Sequence, residues 1–177
     1  LIKEVLINDE INWRQKHIKT LTQLYKKHTF GEWMLEIIIP IINDKSIIYL
    51  NELNIKLIKG ISNSLDLITD YSLASNIPTC GTKSLRLVEI CKFFGIKNYY
   101  SPVGSKDYIE EENIFSKNNI DVIYQDLSLA IYKQRGQSCF ISHLSIVDLM
   151  ANLGYQSTIN YLKDMVQYLV YLYNTKV

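Results

Sequence analysis

Apolar positions along the chain recur mostly at helical spacing, interrupted by a few short runs of β-branched residues. Ile2, Val5, Leu6 and Ile7 crowd into such a run, which predicts a strand over Leu1 to Ile7. Trp13, His17, Thr20, Leu21 and Leu24 then fall three and four apart, a helix opened by Asn12 and running to Lys27. Gly31 interrupts it, and Trp33 to Ile39 resumes as a short helix or irregular apolar segment that breaks near Pro40. Leu53, Leu57, Ile61 and Leu65 form a stripe beside Lys56, Lys59 and Asn63, a helix within Asn51 to Leu67 despite Gly60. Leu67 to Leu73 predicts another strand.

The second half alternates more regularly. Thr82 or Gly81 starts a helix whose Leu85, Leu87, Val88, Cys91 and Phe94 are apolar and which Gly95 can end in a left-handed turn. Asn98 to Ser101 and Ile120 to Tyr124 predict strands. Between them Glu110-Glu111-Glu112 precede Ile114 and Phe115, acidic groups at the positive end of a short helix. Ser145-Ile146-Val147-Asp148 has the form of a capping box, with Asp where Glu is usual, opening a helix that Gly154 closes. A last helix spans Ser157 to Asn174, with Leu162, Met165, Val166, Leu169 and Leu172 toward the core. Strands alternating with helices predict an α/β fold, a mainly parallel sheet flanked by helices, in a single domain over residues 1–177.

Composition narrows the function. The chain is 47% apolar and 21% charged, with 26 Ile, 13 Tyr and only 7 Gly and 3 Pro, which suits a core-forming protein and excludes a low-complexity one. Nineteen Lys and Arg against 18 Asp and Glu speak against an extended nucleic-acid surface. Leu35 to Ile42, the greasiest stretch, carries a charge and a proline and is too short to span a membrane. No signal peptide is visible, and Leu1 in place of an initiator Met suggests a fragment. Cys80, Cys91 and Cys139 have no CxxC spacing, so a reducing cytoplasm is expected. Neither GxSxG, GxGxxG nor GxxxxGK[ST] occurs. His17 and His28, on one continuous helix, would sit roughly 16 Å apart, too far to share a metal. No cofactor is indicated.

Three regions could carry chemistry. Gly81-Thr82-Lys83-Ser84-Leu85-Arg86 combines free helix-start amides with two cations and two hydroxyls, suited to an anion, although simple capping by Thr82 or Ser84 explains it more cheaply. Ser101-Pro102-Val103-Gly104-Ser105-Lys106-Asp107-Tyr108 should lie beyond the carboxyl end of a strand, where open α/β sheets bind ligands. There Gly104 admits close approach, Lys106 can hold an anionic group and Tyr108 can stack; an ordinary polar turn competes equally. Gln125, Tyr132, Gln134, His143, Ser145 and Asp148 form a polar, Tyr-rich third region, in which Asp148 orients a substrate or accepts a proton and His143 is a candidate base.

Tyr100-Ser101-Pro102-Val103-Gly104-Ser105-Lys106-Asp107-Tyr108-Ile109, Phe115, Ile120 to Gln125, Tyr132-Lys133-Gln134 and Leu144-Ser145-Ile146-Val147-Asp148-Leu149-Met150-Ala151-Asn152-Leu153-Gly154 together resemble the WbqC-like family of bacteria. Arg86-Leu87 and Ile90-Cys91-Lys92 fit the helix preceding that block. The chain departs from the family in lacking an N-terminal His-Gln-Pro-x-Tyr-x-Pro segment and in having Ala151 where a bulky Phe is usual. The resemblance implies a role in O-antigen or other surface-polysaccharide biosynthesis. Joined to the three regions, it implies an enzyme, transferase-like, acting on a nucleotide-linked sugar or amino sugar. Asp148, Lys106 and His143 would then be catalytic, and Gly81, Thr82, Lys83, Ser84, Arg86, Ser101, Gly104, Ser105, Tyr108, Gln125, Tyr132, Gln134 and Ser145 would bind the substrate. The alternative is a non-catalytic binding or assembly module of the same pathway. The expected partner is an anionic small molecule, with homo-oligomerisation left open.

Overall fold

The structure, a computed structural model, describes residues 1–125 and 129–174, with side chains inside the last helix described as far as Met165. Val166, Leu169 and Leu172, expected in the core, lie outside the described side chains. The chain divides into two compact units: Leu1–Thr69 with Leu129–Asp164, and a second drawn from Asp70–Ser128 and the chain from Met165 onward.

The first unit is helical. α1 (Trp13–Tyr25), α2 (Gly31–Asn43) and α3 (Leu50–Ser64) follow the apolar periodicity, and α2 packs against both neighbours. Met34, Leu35, Ile38 and Ile42 make one buried face of α2; Leu65, Met150, Ala151 and Ile159 close on it. The break expected at Pro40 does not occur, and the helix runs through it to Asn43. The imino acid costs α2 one backbone hydrogen bond, but Pro40 lies exposed while the apolar positions around it stay packed, and that packing outweighs the loss.

Arg14 explains how α1 and α2 are locked. It is 3% exposed, and each of its five N–H groups has an acceptor. Nε and Nη2 donate to the two Asp9 oxygens (2.7 and 3.0 Å), Nη1 to the carbonyls of Ile42 and Asp44 (2.8 and 3.0 Å), and Nη2 also to Ile47 (2.9 Å). A planar guanidinium can satisfy the carbonyls at a helix C-terminus and a carboxylate at once; Lys could not.

The strand expected over Leu1 to Ile7 is absent. Ile2–Glu4 form a 3-10 turn, and extended pairing is confined to one antiparallel bridge, Leu6 with Tyr49. Leu1, Ile2 and Leu6 are 84, 76 and 64% exposed, so little burial rewards an extended run. The strand expected over Leu67 to Leu73 is likewise irregular, with Ile68 fully exposed.

α7 (Ile146–Asn174) begins in this unit; where a helix closing at Gly154 and a separate one from Ser157 were expected, the helix continues through a kink at Gly154 (φ 71°, ψ −172°), which is non-helical. That conformation belongs almost wholly to glycine. Phe30 also closes the space, since a Cβ at Gly154 would meet its ring at 2.7 Å.

The second unit holds the two expected strands that form, β1 (Asn98–Pro102) and β2 (Asp121–Gln125). They pair parallel, Asn98 opposite Asp121 through Pro102 opposite Gln125. The expectation of a mainly parallel sheet is therefore too strong: among the described residues the sheet has two strands and the body is helical. α4 (Lys83–Phe93) ends in a Schellman motif, with Gly95 at φ 66°, Gly95 N–H on Lys92 O (3.1 Å) and Ile96 N–H on Cys91 O (2.8 Å). After β1, α5 (Lys106–Glu112) and α6 (Ile114–Lys117) lead to β2. Glu110 to Glu112 thus close α5 rather than open α6, because Asn113 at φ 50° separates the two helices. Val88, Cys91, Ile109, Phe115 and Ile120 form the core, and Tyr99 stacks on Phe115 at 4.9 Å.

Candidate functional site

In the first unit burial alternates along residues 131–135. Ile131, Lys133 and Arg135 are exposed, Tyr132 is half-buried and Gln134 is 6% exposed. The period of two turns Tyr132 and Gln134 inward. There they meet Asp148, in the first turn of α7 and 6% exposed. Tyr132 Oη donates to Asp148 Oδ2 at 2.7 Å, and Gln134 Nε2 lies 3.3 Å from both that oxygen and Tyr132 Oη. The capping box expected at Ser145 is only half formed. The Ser145 hydroxyl accepts from Val147 N–H (3.3 Å), while the Asp148 carboxyl takes Tyr132 and Gln134 instead.

Gln134 also closes a loop. Its Nε2 donates to Ile141 O (2.9 Å) and its Oε1 accepts from Ile141 N–H (2.8 Å), pinning both ends of residues 134–141. Asn152, one turn beyond Asp148, donates to Asp148 O (2.8 Å) and accepts from Arg135 N–H (2.9 Å), tying the loop to α7. Tyr132 packs edge-on against Phe140 (5.2 Å) and Tyr161 (5.7 Å).

This scaffold borders a recess of about 620 Å³ lined by Thr29, residues 131–140, Asn152 and Leu153. Pockets of this size take small organic ligands. Asp148 is not in the lining; it reaches the recess through Tyr132 and Gln134. Burial, then the bond to Asp148, pushes the Tyr132 phenol up to about 12, although Gln134 pulls the other way. Tyr132 therefore keeps its proton at neutral pH and directs it at Asp148. Tyr25, at the end of α1, is raised first by burial and then by the charge of Asp148. His143 (φ 60°) is exposed in the loop before α7 and, like Ser145, is outside the lining.

The remaining expected site residues belong to the second unit. Ser101 and Ser105 are buried against each other (Oγ to Oγ 2.5 Å), and Ser105 donates to Pro102 O (2.7 Å). Both hydroxyls thus hold the turn after β1. Gly104 is exposed, and a Cβ there would meet nothing within 4 Å. Lys106 approaches Glu110 (3.8 Å) and lies 5.9 Å from the Tyr124 ring; Tyr108 is exposed. Gln125 stands opposite Pro102, so the carboxyl ends of β1 and β2 do bring the Ser101 to Lys106 turn and Gln125 to one edge.

At the start of α4, the amides of Cys80 and Gly81 are already taken by the Glu89 carboxyl (2.9 and 2.8 Å). Arg86 donates to Ala74 O (3.0 Å), and neither Thr82 nor another side chain caps the helix. Lys83 is exposed at φ 49°, and Ser84 is 1% exposed with its hydroxyl unpartnered. The structure thus gathers Tyr132, Gln134 and Asp148 in one unit and the glycine and lysine segments in the other.

Sequence reasoning passed over Lys133 within its motif, Arg135, Asn152 and Thr29. One signal was available: Asn152 stands four residues after Asp148 on the same helix face. Among the described residues no group of three His, Cys, Asp or Glu could hold a metal ion, and no helix is long and apolar enough to cross a membrane.

No protein of curated function and no solved structure matches the chain at a significant level. A family model does match, over residues 1–160 and so across both the recess and the β1–β2 edge: the chain belongs to the WbqC-like protein family.

Proposed function

We propose that this protein is an enzyme of bacterial surface-polysaccharide (O-antigen) biosynthesis, working in the cytoplasm as a transferase on a nucleotide-linked sugar or amino sugar. Family membership supports the pathway, and one observation supports catalysis: the buried Asp148 carboxyl holding the Tyr132 phenol at the wall of the recess. A hydroxyl or amine of the acceptor can donate to the Tyr132 oxygen. As that oxygen or nitrogen bonds to the acyl carbon of a donor, the bond from that carbon to the donor's leaving group breaks and the leaving group departs with its electron pair. The acceptor's proton passes to Tyr132, the phenol proton passes to Asp148, and Asp148 gives it up to the leaving group or to water, so the phenol is neutral before and after. Such a relay needs no free phenolate, which a phenol raised to about 12 could not supply near pH 7.

The test is turnover of nucleotide sugars with acyl and amino-acyl donors. Asp148→Asn and Tyr132→Phe should each lower kcat by about 10²-fold or more while circular dichroism stays unchanged. Full activity in both variants would sink the relay. The second reading, a non-catalytic binding module, draws on the same raised phenol, which serves equally as a fixed hydrogen-bonding group; ligand binding without any turnover would establish it.

A further inference from the structure

We infer that the recess takes a ligand bearing a phosphate or diphosphate group, and that Lys133 and Arg135 are the residues that hold it. This rests on the recess being the functional site and adds which residues hold the anionic group. The lining contains two cations, Lys133 and Arg135, and no carboxylate. Several cations elsewhere are paired, Arg14 with Asp9, Lys56 with Asp44, Lys106 beside Glu110 and Arg86 on Ala74 O; what sets Lys133 and Arg135 apart is that both border one recess that no carboxylate lines. Among the described residues Lys133 and Arg135 have no carboxylate within salt-bridge distance.

Tyr132 and Gln134 are held on Asp148, while Lys133 and Arg135, two residues apart and both exposed, line the same recess. Their placement is held as well. Gln134 is fixed on Ile141 and Asp148, and the amide of Arg135 is anchored on Asn152. Two adjacent cations without a counter-charge match a group carrying about two negative charges, and the guanidinium fork suits phosphate oxygens. Gln137, Ser138 and Asn152 add neutral donors, while Phe140 and Leu153 offer apolar wall to an attached sugar or base.

Calorimetric titration with UDP, pyrophosphate, uridine and acetate tests this on the full chain. UDP and pyrophosphate should bind, uridine and acetate far more weakly, and the UDP Kd should rise steeply with salt. Lys133→Ala and Arg135→Ala should each weaken UDP at least tenfold, with Lys117→Ala on α6 unchanged. If UDP and pyrophosphate fail to bind at millimolar concentration, if uridine binds as well as UDP, or if Lys106→Ala rather than these two abolishes binding, the inference is overturned. Its failure is separable from that of the enzyme reading. Turnover of a nucleotide sugar with Kd and KM unmoved in both variants overturns the inference alone. Charge-dependent UDP binding with no turnover of any donor overturns only the enzyme.

Discussion

The two units treat similar polar residues in opposite ways. In the first, Tyr132, Gln134 and Asp148 are drawn inward into a shared network, and their neighbours Lys133 and Arg135 are left facing a recess without counter-charges. In the second, most of the polar groups expected to bind a ligand are paired locally, the buried Ser84 hydroxyl excepted. Ser105 donates to the backbone three residues back, Lys106 leans on Glu110 one turn on, and Glu89 occupies the amides that an external anion would need. Whether a polar side chain is available to a ligand depends less on its type than on whether the fold has already paired it.

Four paired substitutions sharpen that contrast, measured as denaturant midpoints. Arg14→Leu leaves the Ile42, Asp44 and Ile47 carbonyls, two of them in buried bonds, without their donor and should cost about 3 kcal/mol, whereas Arg86→Leu, which loses one carbonyl, should cost about 1 kcal/mol or less. Comparable losses would mean that α1 and α2 are not locked through Arg14. Gly154→Ala meets both a glycine-only backbone and the Phe30 ring, and about 3 kcal/mol should be lost. Gly104→Ala should shift stability by less than about 0.5 kcal/mol, since open space surrounds it.

Next in size, Asp148→Ala leaves the half-buried Tyr132 hydroxyl without its acceptor and takes one acceptor from Gln134, and should cost about 2 kcal/mol, against about 1 kcal/mol for Glu89→Ala near the surface. The reverse order would show the network to be incidental. The smallest effect is in alkali. The folded-state Tyr132 pKa of about 12 lies above its unfolded value of 10, so this phenol's contribution is present below pH 10 and lost as pH rises through 12. The Tm advantage of the wild type over Tyr132→Phe should therefore be constant to pH 10 and shrink above it. An advantage unchanged at pH 12 would contradict the bond to Asp148.

Much of the fold was legible because it is local. Helical spacing located α1, α3 and α4, the left-handed turn at Gly95 and the kink at Gly154 follow from glycine, and β1 and β2 sit where short β-branched or aromatic runs predicted them. The errors have a common cause. Leu1 to Ile7 and Leu67 to Leu73 are apolar enough for strands, but a strand requires a partner supplied by distant chain, and neither run finds a ladder or much burial. At Pro40 the reverse held: packing of α2 on both sides carried a helix through a residue that local rules would end it at.

For the site, residue chemistry and family pattern pointed to Tyr132, Gln134 and Asp148, but not to how they divide the work. By itself the sequence determined where most of the helices run and turn, α2 beyond Pro40 excepted, because those choices rest on contacts within four residues of chain. Only the tertiary structure decided that Asp148 stands behind the recess, that Glu89 fills the amides before α4, and that Lys133 and Arg135 keep uncompensated charge. Those outcomes depend on partners from 8 to 17 residues away, and a hydrogen bond between such groups exists only once the intervening chain has folded.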